Sequence, residues 1–583
     1  MIEVRFDDLL ATPPASLRFK GQAGTIEAYR PEAVADALAA AVDATSRGLW
    51  AAGYVAYEAS PGLDPALAGR SRPPEDPFAG LPLVWFGLFE DRIEESVAVA
   101  SGHYSVSEWE PSISRNDYET AVERIRDYIR DGDTYQINFT LRLRAEFSGD
   151  EQAFYSDLCA AQRAGQCAYI DTGRFRILSA SPELFLEVDK GRVITRPMKG
   201  TASRGRTYAE DEATSRRLVD SPKERAENAM IVDLLRNDLG RVAEPGSVKV
   251  PKLFEAERYE TLWQMTSTVG ARLREGVDPT AAFRVLFPSG SVTGAPKVRS
   301  MQIAAELEDS PRGVYTGAIG FLAPAGAEGP DARFNVAIRT VVIDPETGAA
   351  EYGVGGGITY DSVAAREWEE CLTKARVLGE RRPEFELIET IRYSGGEFPL
   401  MARHLARMAS SAAYFGFRFE KDEVAAALES SVADLDDARV RLALARDGEL
   451  TVTTAPLPAA NPPPVRLAVD YEPVDSKDPF LFHKTTRRDL YEERAKRHPG
   501  ADDVLLVNER REITESTIAN VAVELDGKWF TPPADSGCLP GVYRQELIEE
   551  GRIEERILSV SNVLEADGLA LMSAVRLWRK ATL

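Results

Sequence analysis

"RILSASPELFLEVDKGRVITRPMKGTASR", residues 176–204, alternates apolar and polar positions on either side of a Lys-Gly turn and ends in a second glycine turn. Period two predicts two β strands joined by a turn, with Lys199 near the end of a strand rather than on a solvated helix face. Lysine is rarely buried unless it is paired. Read alone, the segment gives a surface lysine beside a turn, its stem lying on apolar neighbours. The rest of the chain changes that reading.

With 583 residues, the chain is too long for one hydrophobic core. It is 44% hydrophobic and 28% charged, an ordinary globular composition. A net charge of −23 without a basic run argues against nucleic acid or an anionic membrane as partner. No apolar stretch is long enough for a membrane span, and the start MIEVRFDDLLATPP is acidic where a signal peptide is basic. Cys159, Cys167, Cys371 and Cys538 show no metal-type spacing, and the four histidines are scattered. These features predict a cytoplasmic protein without a zinc site.

Residues 1–110 mix short strands and helices around the break SRPPEDPFAG, and residues 111–380 alternate helical patterns with Gly-bounded strands. The charged junction GERRPEF (379–385) predicts a domain boundary. Within 381–583 the extended linker APLPAANPPP (455–464) separates lobes of about 385–455 and 465–583. The expected fold class is α+β: one large module, then a smaller two-lobed α/β module.

SPKERAENAMIVDLLRNDLG (221–240) predicts a helix with Ser221 as N-cap, Pro222 at the first position and Glu224 completing a capping box. Glu224 and Glu227 share one face, as do Glu367 and Glu370 in DSVAAREWEECLTKARVLG (361–379). Each pair alone is an ordinary solvated face. Converging, two such pairs would suit Mg²⁺, which takes one or two carboxylates, waters and oxygens of an anionic substrate. Between them lie PSGSVTGAPK, GVYTGAIGF and GVGGGIT, where glycine lets backbone approach a ligand, and Arg339 stands in a strand pattern.

The order of DTYQINFT, SPELF, RPMKGT, ERAENAMIVDLLRNDLGR, PSGSVTGAPK, YTGAIGF, AIRT, GGGIT and EWEECLTKA resembles the chorismate-utilising enzymes, densely over residues 115–380 and loosely before. The resemblance implies a β-sandwich with helices. It implies Glu183 as general acid, Glu227 and Glu370 as Mg²⁺ ligands, and Glu224 and Glu367 as outer carboxylates. Tyr315, Arg339 and the Gly355–Gly356–Gly357 turn match contacts to the chorismate carboxylate, with Thr293 and Lys297 as further substrate contacts. Isochorismate and salicylate synthases carry a water-activating lysine where this chain has Gln136, and anthranilate synthases carry a small residue where it has Lys199. The lysine is the mark of the aminodeoxychorismate branch, in which it attacks the ring as a nucleophile. An anthranilate synthase component I-like enzyme with an aminotransferase-like or non-catalytic C-terminal domain is the alternative.

LFHKTTRRDLYEERAK (481–496) and DDVLLVNERREITESTIANVAVE (502–524) together resemble the fold-type IV pyridoxal-phosphate enzymes, over about 385–583. The resemblance implies that Lys484 attaches the cofactor and Glu515 faces its pyridine nitrogen. Arg407, Thr517, Gly541, Val542 and Ser573 match further cofactor contacts. Arg576 and Arg579 are candidate carboxylate contacts. Members of this family begin with a strand and a Gly-rich loop before ETIRY; this chain enters at Phe385, so one wall of the site is expected to be absent or supplied by a neighbour. Paired, the halves imply a bifunctional route from chorismate through 4-amino-4-deoxychorismate to 4-aminobenzoate, a folate precursor. No glutaminase motif is present, so a glutamine amidotransferase subunit is the expected ammonia source. A homodimer through the C-terminal domain is a further expectation.

Overall fold

The computed structural model describes residues 2–379, 384–459 and 463–583. The junction 379–385 and the linker 455–464 lie partly outside the described residues. The fold class is α+β. The chain divides into two compact units, Met1–Ser203 with Ser215–Arg382 and Arg204–Thr214 with Pro383–Leu583. Among the described residues no helix is long and apolar enough to cross a membrane.

The first unit is layered by strand periodicity. Successive side chains of a strand point to opposite faces, so a strand buried on both sides feeds two cores. Trp50–Val55 does this: Trp50, Ala52 and Tyr54 enter an aromatic core with Phe19, Trp85 and Phe321, whereas Ala51 and Val55 enter another with Phe86 and Leu235. Ile177 and Val342 join the aromatic core from a second set of strands, whose neighbours Leu178, Val341 and Ile343 turn to a third core with Tyr118, Phe139 and Trp368. The outer cores are closed by helices, Val34–Ser46 and Pro222–Gly240 on one side, Arg115–Arg130 and Ala364–Ala375 on the other. The result is a sandwich in which one continuous 19-stranded sheet folds into two layers over the aromatic core, with helices outside both.

Two strands carry site residues. Gln136–Gly149 pairs antiparallel with Ala349–Ile358, setting Gly355 opposite Thr140 and Gly357 opposite Asn138. Gly355–Gly357 therefore belong to a strand and not to a turn, and none has a positive φ. Glycine is required by proximity: a Cβ at Gly355 would stand 2.3 Å from the Phe139 carbonyl oxygen. Arg339 departs from expectation in the opposite sense. It sits between the strands Ala332–Val336 and Thr340–Asp344 with φ 53°, a left-handed position that ends the strand pattern.

In the second unit, Leu387–Ser394, Asp437–Leu444 and Leu450–Ala455 form an antiparallel sheet. Its apolar face is covered by helices Met401–Phe415 and Lys421–Ser431. The larger lobe is an eight-stranded mixed sheet around Leu505, Ile513, Val521 and Leu571. Arg204–Thr214 completes this unit: the Tyr414 hydroxyl donates to the Gly205 carbonyl at 2.7 Å, and His483 Nε2 lies 3.2 Å from the Arg206 carbonyl oxygen.

Buried charge ties the first unit's layers together. Glu308 accepts from Arg312 Nη2 at 2.7 Å, from Arg312 Nε at 3.0 Å and from the Thr140 hydroxyl at 2.8 Å, all out of water. Glu308→Ala leaves the Arg312 guanidinium uncompensated and should cost about 3–5 kcal/mol, read as a fall in the urea midpoint. A loss below about 1 kcal/mol, the scale of an exposed pair, would show that this buried pair does not hold the layers together.

Candidate active sites

In the first unit, Lys199 stands at an irregularity in its strand. Met198–Ser203 pairs with Leu262–Arg272, and the register slips between Met198 and Thr201, around Gly200 at φ 95°. The Lys199 carbonyl accepts from Asn228 Nδ2 at 3.3 Å, and Asn228 Oδ1 accepts from the Ser267 hydroxyl at 2.6 Å. A helix side chain thus holds a carbonyl at the bulge. The Lys199 amine rests against Gly357, where a Cβ would stand 2.8 Å from Lys199 Nζ and 2.0 Å from Gln136 Nε2. Gln136 is buried, and neither atom of its amide has a partner among the described residues.

Burial lowers the Lys199 pKa below the ordinary lysine value; Glu227, Glu183 and Glu370 oppose the shift and Lys374 adds to it. No carboxylate of the described residues forms an ion pair with its amine. Glu183 is 3% exposed, and burial pushes its pKa up to about 7, opposed by a 2.5 Å hydrogen bond from the Ser291 hydroxyl and by the Lys199 charge. The site therefore brings a proton-holding acid and a deprotonatable amine into one buried field.

The four glutamates of the two helices face the same region. A Cβ at Gly356 would lie 3.4 Å from Glu367 Oε2 and 3.9 Å from Glu370 Oε1, and one at Gly200 2.9 Å from Glu224 Oε2. Burial raises the pKa of Glu224, with Glu227 and Glu370 adding to it, and burial likewise raises Glu367. Glu370 is lowered, chiefly by Lys374, whose amine is 2.6 Å from Glu370 Oε1 and donates to the Gly355 carbonyl at 2.9 Å. The capping box forms only in half. Glu224 N–H reaches Ser221 Oγ at 3.4 Å, but Ser221 N–H goes to the Leu218 carbonyl of the preceding helix, leaving the Glu224 carboxylate for the site. Among the described residues no three His, Cys, Asp or Glu side chains are grouped to hold a metal ion. The donor set nonetheless fits a hard cation that keeps most of its waters, since mutual carboxylate repulsion is what such a cation relieves.

The remaining substrate candidates separate. Tyr315 is buried with its ring against Gly353 and Arg142 5.2 Å from the ring centroid, and burial raises its pKa. Arg339 gives one N–H to the Lys374 carbonyl at 3.2 Å, while its buried Nε has no partner. The Thr293 hydroxyl donates to the Ser289 carbonyl. Lys297 is drawn away: its amine pairs with Asp238 at 2.9 Å and the Leu286 carbonyl at 3.0 Å, a buried structural bond. Lys374 and Ser291 escaped sequence reasoning. Each lay inside a quoted motif, but nothing in the spacing said which side chain would turn inward.

In the second unit a cavity of about 420 Å³ holds Lys484, Glu515, Arg407, Thr517, Gly541, Val542 and Ser573 on its wall. Burial, with Arg407 adding, lowers the Lys484 pKa to about 8. Burial pushes Glu515 up to about 7, although Tyr491 Oη donates to it at 2.9 Å and Asn520 Nδ2 at 3.2 Å. Arg407 binds Glu389 through two N–H groups, at 2.6 and 2.8 Å, and Glu389 also meets His404 Nδ1 at 2.7 Å. The Thr517 hydroxyl is committed to Asp503 at 2.6 Å. Gly541 is the N-cap of helix Val542–Glu549 with no side-chain cap, and a Cβ there would strike Asn520 Oδ1 at 1.9 Å. An uncapped helix start beside an arginine suits a phosphate, and a buried carboxyl without a salt-bridged cation suits a pyridinium N–H. The residues present therefore fit pyridoxal phosphate.

The comparisons with known proteins follow the same division. The chorismate binding enzyme family matches residues 5–380, and amino-transferase class IV matches residues 386–583. The chain is 40% identical over 280 residues to aminodeoxychorismate synthase component 1 of Klebsiella aerogenes, covering 48% of this chain and 61% of that one. It is 38% identical over 270 residues to anthranilate synthase component 1 of Aquifex aeolicus, covering 46% and 53%. The chain thus spans only about half to three-fifths of the length of these relatives. The crystal structure of anthranilate synthase component I from Streptococcus pneumoniae superposes with a TM-score of 0.53 at 27% identity, over 63% of this chain and 92% of that one. With that family matched over more than half of its length, the chain belongs to the chorismate binding enzymes.

Proposed function

We propose that the chain makes 4-aminobenzoate from chorismate in two steps, one in each unit. Relatives of both aminating specificities match at similar identity, so the choice rests on one observation: a deprotonatable Lys199 amine beside a Glu183 that holds its proton. Lys199 Nζ attacks C2 of the ring, the double bond shifts, and the C4 hydroxyl leaves as water with the proton of Glu183. Ammonia, supplied by a glutamine amidotransferase partner, bonds to C4 and expels Lys199 from C2, and the released proton restores Glu183. The sum is chorismate plus ammonia to 4-amino-4-deoxychorismate plus water. Glu227 and Glu370, with Glu224 and Glu367 behind them, would hold Mg²⁺, which would neutralise the substrate carboxylate.

In the second unit Lys484 would attach pyridoxal phosphate, Glu515 would face its ring nitrogen, and Arg407 with the Gly541–Val542 backbone would hold its phosphate. The cofactor, when bound, supplies an electron sink for the carbon bearing the amine. Lys484, with its pKa brought to about 8, removes the C4 proton of 4-amino-4-deoxychorismate. Loss of the enolpyruvyl group then gives the aromatic ring, and protonation of the leaving group gives pyruvate.

Lys199→Ala should lose 4-amino-4-deoxychorismate at matched ammonium, followed by chromatography of chorismate, Mg²⁺ and ammonium reactions; product at the wild-type rate would end the nucleophile role. Glu183 must be protonated to act, so synthase turnover should fall as pH rises through about 7, where its proton is lost. Glu183→Gln should remove both that limb and most of the turnover. A pH profile flat across that range would assign the acid elsewhere. Lys484→Ala should still consume chorismate but accumulate 4-amino-4-deoxychorismate, which an added lyase converts to 4-aminobenzoate. Wild-type rates of pyruvate release from this variant would show that Lys484 does not remove the C4 proton.

A further inference from the structure

The cavity of the second unit carries more positive charge than one phosphate requires. Arg439, Arg441, Arg576 and Arg579 line it in addition to Arg407, and none of these four has an ion-pair partner among the described residues. The chain as a whole is acidic, so this charge is local and focused on the cavity. Arg439, Arg441 and Arg576 are exposed and can be satisfied by water. Arg579 cannot: it is 8% exposed, and its Nε and Nη2 have no hydrogen-bond partner.

Its neighbours explain why it is left unpartnered. The carboxylate whose charge acts on it is Asp503, whose oxygens are already taken by the Ser516 hydroxyl at 2.6 Å, the Thr517 hydroxyl at 2.6 Å and the Val504 N–H at 2.8 Å. Arg576, three residues before it, adds like charge, and burial together with that charge lowers the Arg579 pKa below its ordinary value. The strand Leu577–Thr582 sets Arg579 directly opposite Leu571. It is therefore on the sheet face of Leu571, whereas Ala570 and Met572 face the helix that starts at Gly541. An anion on Arg579 is accordingly not the anion cradled at that helix start. A planar guanidinium with two free N–H donors is shaped for a carboxylate.

We propose that Arg579, flanked by Arg576, is a carboxylate subsite of this cavity, which selects a cyclic amine bearing a ring carboxylate over an ordinary amino acid. This rests on the lyase reading of the second unit, and it supplies the specificity residue that reading lacks. The subsite also gives the aromatic product a point of release, since the ring carboxylate is the group that substrate and product share.

The test uses the full-length chain loaded with pyridoxal phosphate and benzoate as an unreactive probe, with binding measured by calorimetry. Wild type should bind benzoate. Arg579→Gln should weaken it about tenfold or more, the scale of one lost charged hydrogen bond, and raise KM for 4-amino-4-deoxychorismate by a similar factor. Affinity for pyridoxal phosphate, titrated by absorbance, should stay unchanged. Arg579→Lys, which keeps the charge and fills the site if the glutamine variant does not fold, should bind benzoate with intermediate affinity. Unchanged benzoate affinity in either variant overturns the proposal, as does loss of pyridoxal phosphate with benzoate binding intact. If wild type binds benzoate through Arg579 yet releases no 4-aminobenzoate, the subsite stands and the lyase reading falls. If 4-aminobenzoate forms and Arg579→Gln equals wild type in KM and benzoate affinity, the reading stands and the subsite falls.

Discussion

Each unit solves the same physical problem: keeping a lysine amine out of water, close to carboxylates, without letting any carboxylate seize it. A tight ion pair would raise the amine's pKa and end its reactivity. The fold counters this by giving several of the nearby acids another donor. Around Lys199, Ser291 bonds Glu183 and Lys374 bonds Glu370. Around Lys484, Arg407 and His404 bond Glu389, and Tyr491 and Asn520 bond Glu515. The two lysines are left with burial as the largest influence, and burial lowers both.

That arrangement needs room as well as partners. In the first unit the room comes from strand glycines. Gly353 leaves space for the Tyr315 ring, and Gly357 leaves space for the Lys199 amine and the Gln136 amide. A strand of small residues is weak by propensity. Here it is secured by a ten-residue register with Gln136–Gly149 and by the cores on either side. The chemistry and the packing thus depend on the same residues.

Much of this was legible in the sequence. Ser221 and Pro222 announced their helix and the carboxylate pairs share a face by spacing, but the alternation read as two strands covers three, Arg176–Ser181, Leu184–Asp189 and Arg192–Arg196. The rest depends on contacts between distant segments. A glycine run reads as a turn, yet Gly355–Gly357 are in a strand because Phe139 and Lys199 press on them. Arg339 sits in an apolar alternation that the backbone interrupts with a positive φ. Lys297 lies in a motif full of ligand-like residues, but Asp238, nearly sixty positions earlier, claims it. Arg576 and Arg579 read alike from the sequence as candidate carboxylate contacts, and the burial of Arg579 without a partner is what separates the two.

The second unit is not one continuous run of the gene. Arg204–Thr214 belongs to it, supplying the carbonyls that meet the Tyr414 hydroxyl and the His483 ring, next to Lys484. Severing the coding sequence at the junction would therefore produce a C-terminal fragment with two polar groups stripped of their acceptors beside its reactive lysine. A single cut in the chain therefore does not separate the two units cleanly.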